Sequence, residues 1–435
     1  MSETPTPPSR SPDARADALA VVRRLRGAGH VAYFAGGCVR DALLGLTPKD
    51  YDVATDAPPP RVRELFPRTQ AVGAAFGVIL VRQGRSQVEV ATFRTDLAYV
   101  DGRRPEGVVF TTAEEDAKRR DFTINGMFYD PVEDQLVDHV GGRADLESRR
   151  LRAIGEADRR FEEDHLRMLR AVRFASRFGF DIEPATAAAI RRHAGHLKRI
   201  SPERIADELR RMLTPTTRTR AWDQLWALSL LPVVFRELSA GDTPAARVPQ
   251  RCLFRHVAPD EPVSFGTALA AGALTYLWQA AHDDADIEGV LARAWAQTRN
   301  AVRHTLKPSN EETDEMEGIW AGLLQLLSGL ETVAARKRFL QRPTAPATLR
   351  VARGLAALDC DRERLSRLDA ELRVLAEGDY APPPLITGDD LTASGLRPGP
   401  VFKRVLDAVY DAQLEGRLTS REEAMALAQR VASGR

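Results

Sequence analysis

Residues 34–55 have the sequence FAGGCVRDALLGLTPKDYDVAT, and two features of this stretch decide the predicted fold of the N-terminal region. A strand ends at Gly36-Gly37 and runs directly into a short amphipathic helix, which Gly45 closes. At such a turn, backbone N–H groups approach a phosphate closely, and Arg40, one turn into the helix, adds a positive charge. Ordinary turns also contain glycine pairs, so this segment predicts a phosphate-binding loop only together with the acids that follow.

The second feature is the pair of acids in Asp50-Tyr51-Asp52. Side chains at positions i and i+2 of a strand lie on the same side, about 7 Å apart, so both carboxylates face one cleft and share Mg²⁺. Nucleotidyl transfer by two metal ions needs this arrangement, because one ion lowers the pKa of the attacking hydroxyl and the other neutralises the triphosphate. The alternative is a solvated turn. Glu89, in the predicted strand Gln87–Phe93, either completes the metal cluster or is an exposed strand residue.

Residues 118–125 form a compact group of charged and amide side chains. Arg120 suits a phosphate, while Asp121 and Asn125, four residues apart, lie on one face if the segment is helical and can then hydrogen-bond a ribose. A charged helix start without any ligand has the same composition. The position of the segment, about seventy residues after the acid pair, favours the nucleotide-binding interpretation.

Residues 163–177 contain the most regular charge pattern of the chain. Asp164, Arg167, Arg170 and Arg173 recur every third residue and form one stripe, here called the arginine stripe, opposite an apolar face. A carboxylate and a guanidinium together offer an acceptor and donors, which are the groups needed to bind the Watson–Crick edge of a free base. Residues 141–220 also carry a net charge of +7, from 18 Arg and one Lys against 12 acids, which indicates contact with RNA phosphate.

The composition is that of a soluble globular protein with more than one hydrophobic core: 435 residues, 43% hydrophobic and 28% charged. These values exclude a peptide hormone, a disulfide-rich mini-protein and a largely disordered chain. Cys38, Cys252 and Cys360 stand far apart, which argues against a zinc knuckle, a redox dithiol and an oxidising compartment. The N-terminus lacks the apolar core of a signal peptide and no window is long enough for a membrane span, so the predicted location is the cytoplasm.

Two regions of different periodicity follow each other along the chain. Up to about residue 128, strand-like runs alternate with helical pieces, which is typical of a small mixed α/β domain. The runs are His30–Ala35, Tyr51–Ala54, Gly77–Val81 and Gln87–Phe93. After about residue 145, helical periodicity continues to the C-terminus without strand signals. The sequence therefore predicts an α/β head followed by an all-helical remainder, with linkers at Gly241–Pro262 and Pro382–Pro384.

Four motifs in this order resemble the successive motifs of class II CCA-adding tRNA nucleotidyltransferases and of the related bacterial poly(A) polymerases. They are Gly36-Gly37-Cys-Val-Arg40-Asp41 with Asp50-Tyr-Asp52, Arg119-Arg120-Asp121-Phe-Thr-Ile-Asn125, Asp138-His-Val-Gly-Gly-Arg-Ala-Asp145-Leu146, and Glu163-Asp164-His-Leu-Arg167. The resemblance covers residues 15–235, and short segments at 385–391, 398–400 and 414–416 look like the family's C-terminus.

The resemblance implies an α/β nucleotidyltransferase head, a mixed small sheet with helices, followed by an all-α neck, body and tail. The implied division is a disordered tail at 1–14, the catalytic head at 15–140, a base-binding and RNA-binding neck at 141–215, a helical body at 216–340 and a tRNA-binding C-terminal tail at 341–435. Residues 138–146 are the implied hinge between head and neck.

The same resemblance assigns roles to individual residues. Asp50 and Asp52 are the implied catalytic carboxylates and ligands of Mg²⁺. The implied nucleotide-binding residues are Gly36, Gly37 and Arg40 for the phosphates, Arg120, Asp121 and Asn125 for phosphate and ribose, and Glu163, Asp164 and Arg167 for the base, with Arg170 and Arg173 beside them. The implied reaction adds C, C and A to the 3′ end of tRNA from CTP and ATP and releases pyrophosphate. No membrane and no protein partner is implied.

Other segments bear on the substrate. Residues 95–108 resemble the flexible loop of relatives that add the terminal A, and residues 73–80 lack the arginine-rich strand of bacterial poly(A) polymerases, which favours tRNA. An enzyme that adds only A, a poly(A) polymerase, and a non-catalytic RNA-binding protein on the same scaffold remain alternatives. His256, His282 and Asp283 are either a remnant of a phosphohydrolase-type metal site or surface residues.

Overall fold

The computed structural model describes residues 14–73, 77–97, 107–235, 252–280, 287–396 and 399–433. Residues 1–13, residues 98–106 of the predicted loop, residues 241–251 of the predicted linker, and His282 with Asp283 lie outside these ranges. The chain forms two compact units. The first comprises the described residues up to Met212 together with Asp223–Val234, and the second comprises Leu213–Trp222 and the described residues from Phe235 onward.

The strands belong to the first unit. They are β1 (Ala32–Ala35), β2 (Asp52–Thr55), β3 (Thr69–Gly73), β4 (Val78–Gln83), β5 (Ser86–Thr92), β6 (Arg94–Asp96), β7 (Val108–Phe110), β8 (Phe128–Asp130), β9 (Gln135–Val137), β10 (Arg150–Leu151) and β11 (Asp181–Ile182). Seven of them form one sheet in the order β3-β4-β5-β2-β1-β8-β9. Within this sheet β2 and β5 run parallel, while the other neighbouring strands run antiparallel. The sheet is therefore mixed, as the sequence predicts.

Helices cover this sheet and continue the first unit. They are α1 (Ala14–Gly27), α2 (Gly37–Leu43), α3 (Pro59–Leu65), α4 (Ala113–Lys118), α5 (Gly142–Glu147), α6 (Ala157–Glu163), α7 (Arg167–Phe178), α8 (Pro184–His193), α9 (Pro202–Met212), α10 (Arg218–Ala227), whose residues are divided between the two units, and α11 (Leu231–Val234). The helix α7 forms because Met168, Leu169 and Val172 are buried on one face. It ends at Gly179, whose φ of 70° is the left-handed conformation that glycine adopts without strain.

The register of the central strands positions the predicted acids. Asp52 of β2 lies opposite Ala35, the last residue of β1 before the glycine turn. Val53 lies beside Val90 of β5. Because the two strands are parallel, the residues that precede them, Asp52 and Glu89, are also neighbours. Val53 and Val90 are almost fully buried and anchor both strands in the core. The sheet thus brings the glycine turn and two carboxylates to one edge.

The second unit is helical throughout its described regular elements. After a 3-10 turn at Leu253–Arg255 come α12 (Phe265–Ala280), α13 (Ile287–Leu306), α14 (Asn310–Ser328), α15 (Val333–Leu340), α16 (Ala345–Ala357), α17 (Arg362–Ala376), α18 (Gly388–Ala393), α19 (Pro400–Leu414) and α20 (Arg421–Ala432). Trp222, Tyr276 and Trp320 are among its fully buried side chains. Within the described ranges, no helix has both the length and the apolarity needed to cross a membrane.

The main differences from the sequence predictions concern short strands. β3, β6, β7, β8 and β9 have three to five residues each and lie outside the predicted strands, since so few residues show little periodicity. The expectation of no strands after residue 145 is wrong, because β10 and β11 pair in parallel between helices. The four-part division into head, neck, body and tail stays a prediction. All three cysteines lie in the described ranges, and none forms a disulfide.

Candidate active site

A cavity of about 570 Å³ opens at this edge of the sheet, within the first unit. Its wall contains most of the residues that the sequence singles out, contributed by the glycine turn, β2, β5, the segment 119–125, and the segment from 164 to the start of α7. These residues are Gly36, Gly37, Arg40, Asp52, Glu89, Arg120, Asp121, Asn125, Asp164, Arg167 and Arg170. Asp50, Glu163 and Arg173 do not line the cavity.

The glycine turn requires glycine at one position. Gly36 has a φ of 72° and precedes α2, so an L side chain there strains the backbone. A Cβ atom at Gly36 would also lie 3.1 Å from Nη1 of Arg120. At Gly37 the nearest atom to an added Cβ is Nη2 of Arg40, at 3.6 Å. The turn therefore lets two arginines approach the main chain at the cavity wall.

Arg40 is buried, with only 4% of its surface accessible, so it is not a freely exposed phosphate ligand. Its Nε donates to Oδ1 of Asp41 at 2.8 Å, and its Nη1 donates to the side-chain oxygen of Asn125. The guanidinium also lies over the ring of Phe178, 4.6 Å from the ring centre. Arg40 consequently supplies positive charge from within the wall and positions Asn125.

Three carboxylates interact near the start of β2. Asp52 is solvent-exposed on the cavity surface, whereas Asp50 lies just outside the strand. The surrounding protein, and then the charges of Glu89 and Asp50, raise the pKa of Asp52 to about 6. Negative charge is therefore concentrated here. Among the described residues, however, no group of three or more His, Cys, Asp or Glu side chains forms a preassembled metal site.

Arg120 is held beside the glycine turn by a buried acid. Its Nη2 donates to Oδ2 of Asp116 at 3.0 Å, and its Nη1 donates to the backbone oxygen of Asn125 at 3.3 Å. Burial alone would raise the pKa of Asp116, but the charges of Arg120 and Arg119 lower it, so the carboxylate stays ionised. Asp116 therefore pairs with both Arg119 and Arg120 and fixes their guanidiniums at the cavity wall.

Asp121 and Asn125 hydrogen-bond each other and do not lie on a continuous helix. Asn125 Nδ2 donates to Oδ1 of Asp121 at 3.0 Å, while Arg170 donates to Oδ2 through Nε at 2.8 Å and Nη2 at 2.6 Å. Burial alone would raise the pKa of Asp121, but the Arg170 charge and these hydrogen bonds lower it to about 2. The Asp121 carboxylate therefore connects Asn125, in the 3-10 turn at Thr123–Asn125, with Arg170 on α7.

The arginine stripe begins in a turn and then follows α7. Asp164 ends α6 in an extended conformation, and its Oδ1 accepts the N–H of Leu166 at 3.1 Å. Arg167, the first residue of α7, donates through Nη1 to Glu163 at 2.8 Å and through Nη2 to the Arg119 oxygen at 3.2 Å. Glu163 therefore orients Arg167. Arg173 pairs instead with the buried Glu208, 3.0 Å from its Nε.

Sequence reasoning missed three arginines that line the cavity, namely Arg94, Arg119 and Arg204. Arg119 belongs to the motif of residues 119–125, which implies no role for it. Arg94 is the first residue of β6, and Arg204 lies on α9. Nothing in the spacing of Arg204 distinguishes it from the other arginines of an amphipathic helix, because its contacts depend on tertiary packing.

Two family models match the chain. The Poly A polymerase head domain matches residues 32–152, and the probable RNA and SrmB-binding site of polymerase A matches residues 179–241. The CCA-adding enzyme of Lacticaseibacillus paracasei is 34% identical over 410 residues, which is 94% of each chain. This chain belongs to the CCA-adding enzyme family. The family member from Geobacillus stearothermophilus is also 34% identical, over 415 residues and 94% of each chain.

Solved structures of CCA-adding enzymes share the fold. The Bacillus stearothermophilus enzyme in complex with CTP aligns with a TM-score of 0.65 and 29% identity, covering 98% of this chain and 99% of the other. The Thermotoga maritima enzyme complexed with tRNA aligns with a TM-score of 0.66 and 21% identity, covering 98% and 97%. The predicted family and fold class are confirmed. For this member of the CCA-adding family, the roles of individual residues and the cytoplasmic location stay predictions.

Proposed function

We propose that the protein adds C, C and A to the 3′ end of tRNA from CTP and ATP. The observation that carries this proposal is that a single cavity is lined by the carboxylates of Asp52 and Glu89 and also by Asp164 and Arg167. In the reaction the terminal 3′ oxygen of the RNA forms a bond to the α-phosphorus, the bond to the β-phosphate breaks, and pyrophosphate leaves. Membership in the CCA-adding enzyme family supports the same reaction.

The triphosphate is proposed to lie along the glycine turn and the arginines behind it. Gly36 and Gly37 provide close access to the main chain, and Arg120 lines the cavity beside them. Arg40 adds charge from within the wall. Asp121 and Asn125, both cavity-lining, are the proposed ribose contacts. Because each of these side chains is already held by a charged partner, they lose little conformational entropy when the nucleotide binds.

Base selection is proposed to depend on Asp164 and Arg167. Cytosine and adenine both carry an exocyclic amino group, which donates to a carboxylate, and an adjacent ring nitrogen, which accepts from a guanidinium. Uracil and guanine carry a carbonyl in place of that amino group. A fixed carboxylate beside a fixed guanidinium therefore favours C and A over U and G. Glu163 contributes by orienting Arg167, from which it accepts a hydrogen bond.

Mg²⁺ is the proposed cofactor, with Asp50 and Asp52 as the residues that would hold it. The donor set fits, because the surrounding protein and the charges of Glu89 and Asp50 already raise the pKa of Asp52, and a cation relieves the repulsion between these carboxylates. When bound, the ion lowers the pKa of the attacking hydroxyl and neutralises the triphosphate. Glu89 lies beside Asp52 on the neighbouring strand and is the candidate for a third ligand.

The test uses purified protein and three tRNAs, ending before CCA, after C and after CC, each incubated with CTP or ATP. The expected result is C added to the first two and A added to the third. An enzyme that adds only A would extend the third alone, and a poly(A) polymerase would add runs of A to all three. Either result would replace the proposal.

A further inference from the structure

One face of α9 contacts both ends of the arginine stripe. Arg204 and Glu208 are four residues apart, so they project from the same side of the helix. Nη2 of Arg204 lies 3.6 Å from Oδ2 of Asp164, and Oε2 of Glu208 lies 3.0 Å from Nε of Arg173. The helix α9 therefore sets the surroundings of the first and last members of the stripe.

The Asp164 carboxylate is fixed from two directions. Its Oδ1 accepts the N–H of Leu166, which ties it to its own turn, and its Oδ2 faces Arg204. The distance of 3.6 Å to Arg204 is that of an ion pair and is longer than a hydrogen bond. Both oxygens thus keep lone pairs with which to accept a hydrogen from a base, while the guanidinium restricts how the carboxylate turns.

Stability alone gives little reason for an arginine at position 204. Ile205, Leu209 and Met212 are buried and already anchor α9. Arg204 lines the cavity beside Asp164 and Arg167, and its Nη1 is buried with no hydrogen-bond partner in the described part of the chain. A buried donor without an acceptor costs stability, so its retention at the cavity wall points to a role in the site.

We propose that Arg204 is a positioning residue that determines base specificity, by fixing the Asp164 carboxylate where it accepts the amino group shared by cytosine and adenine. This inference rests on the proposed function, because it assigns Asp164 to the base. Without Arg204 the Asp164 carboxylate rotates freely. It then binds an amino group less tightly and repels a carbonyl oxygen less strongly. Nucleotides that lack the amino group then compete better.

The experiment compares CTP with the triphosphate of 2-pyrimidinone riboside, which is cytidine without its amino group, on tRNA ending before CCA. We expect Arg204→Gln to reduce the preference for CTP, measured as the ratio of kcat/KM values, by about tenfold, and to raise incorporation of UTP relative to CTP. Arg204→Lys, which keeps the charge on a differently shaped head group, should give an intermediate ratio. With Asp164→Asn the effect of Arg204→Gln on the ratio should largely disappear, because the two residues act as a unit.

The matched control is Arg210→Gln, which removes a charge from the same helix at a residue that pairs with Asp207 and does not line the cavity. Its ratio should equal that of the unmodified protein. An unchanged ratio in either Arg204 variant, with both nucleotides slowed equally, would overturn the inference, since that is the result of a purely structural role. If the unmodified protein itself adds no C or A, the proposed function fails instead, so the two failures are distinguishable.

Discussion

Asp52 shows how single residues acquire a function from their neighbours. It is the first residue of β2 and it faces the cavity; the surrounding protein, and then the charges of Glu89 and Asp50, raise its pKa to about 6. The repulsion between these carboxylates destabilises their ionised forms, and a bound cation would relieve it. The exposed Glu64, which pairs with Arg61 on α3, has no such surroundings.

We predict that Asp52→Asn lowers the rate of C incorporation by orders of magnitude and leaves tRNA affinity within a few fold, because the carboxylate binds metal and not RNA. Single-turnover incorporation and filter binding measure the two quantities. Removing divalent metal with a chelator should have the same effect on the unmodified protein, and added Mg²⁺ should restore it. Glu64→Gln is the control. Near-normal turnover in Asp52→Asn with Mg²⁺ would remove the metal assignment.

Gly36 supports a second prediction at this scale, because Gly45 provides a matched control. Both glycines have a φ close to 70°, so alanine at either position should cost about 1 kcal/mol of stability. Only at Gly36 does the added Cβ meet a neighbour, Nη1 of Arg120 at 3.1 Å, whereas nothing lies within 4 Å of the Cβ at Gly45. We expect Gly36→Ala to raise the KM for CTP and Gly45→Ala to leave it unchanged. Equal KM values would mean that the turn does not shape the phosphate site.

At the scale of elements, the Asp121 and Arg170 pair links α7 to the 3-10 turn, because Asp121 also accepts a hydrogen bond from Asn125 of that turn. The pKa of Asp121 lies at about 2, below its ordinary value, so the ionised form is stabilised in the folded chain. The pair therefore contributes stability that is present above about pH 4 and is lost as the pH falls towards 2. We predict that Asp121→Asn lowers the free energy of unfolding at pH 7 by about 2 kcal/mol.

Urea unfolding followed by circular dichroism at several pH values between 2 and 7 measures this contribution. The difference between the unmodified protein and Asp121→Asn should shrink as the pH falls. Asp158→Asn is the matched control, because Asp158 is exposed and pairs with Arg192 and His193 where solvent screens the interaction. A difference that is independent of pH would show that the Asp121 pair does not link the two elements energetically.

The sequence predicted elements and motifs better than it predicted their contacts. The strand around Asp52 and the helical pattern of residues 163–177 follow from local periodicity. The strand is present, and the helix is present from Arg167 onward, which leaves Asp164 in the turn before it. The burial of Arg40 and the pairing of Arg173 with Glu208 depend on helices that are distant in sequence. Arg204 was missed for the same reason, since its partner Asp164 lies forty residues earlier. Charge spacing alone therefore identified a stripe without showing which members reach the cavity.

At the scale of the whole molecule, the positive charge of residues 141–220 has two possible uses, RNA binding and base selection. The structure pairs much of it with acids of the first unit, including Arg167 with Glu163 and Arg170 with Asp121. Such paired arginines are available for directional hydrogen bonds more than for general attraction to phosphate. We therefore propose that the protein's own side chains, and no nucleic-acid template, select C and A.

The most direct measurement is incorporation of all four nucleotides by Arg167→Ala, on tRNA ending before CCA, at two salt concentrations. If Arg167 binds the base, its preference for C and A over U and G should fall about tenfold to a hundredfold, at both salt concentrations. Arg192→Ala, which removes an exposed charge of the same region, should keep the preference. An Arg167→Ala protein that binds tRNA more weakly, with a flatter salt dependence and an unchanged nucleotide preference, would contradict the claim.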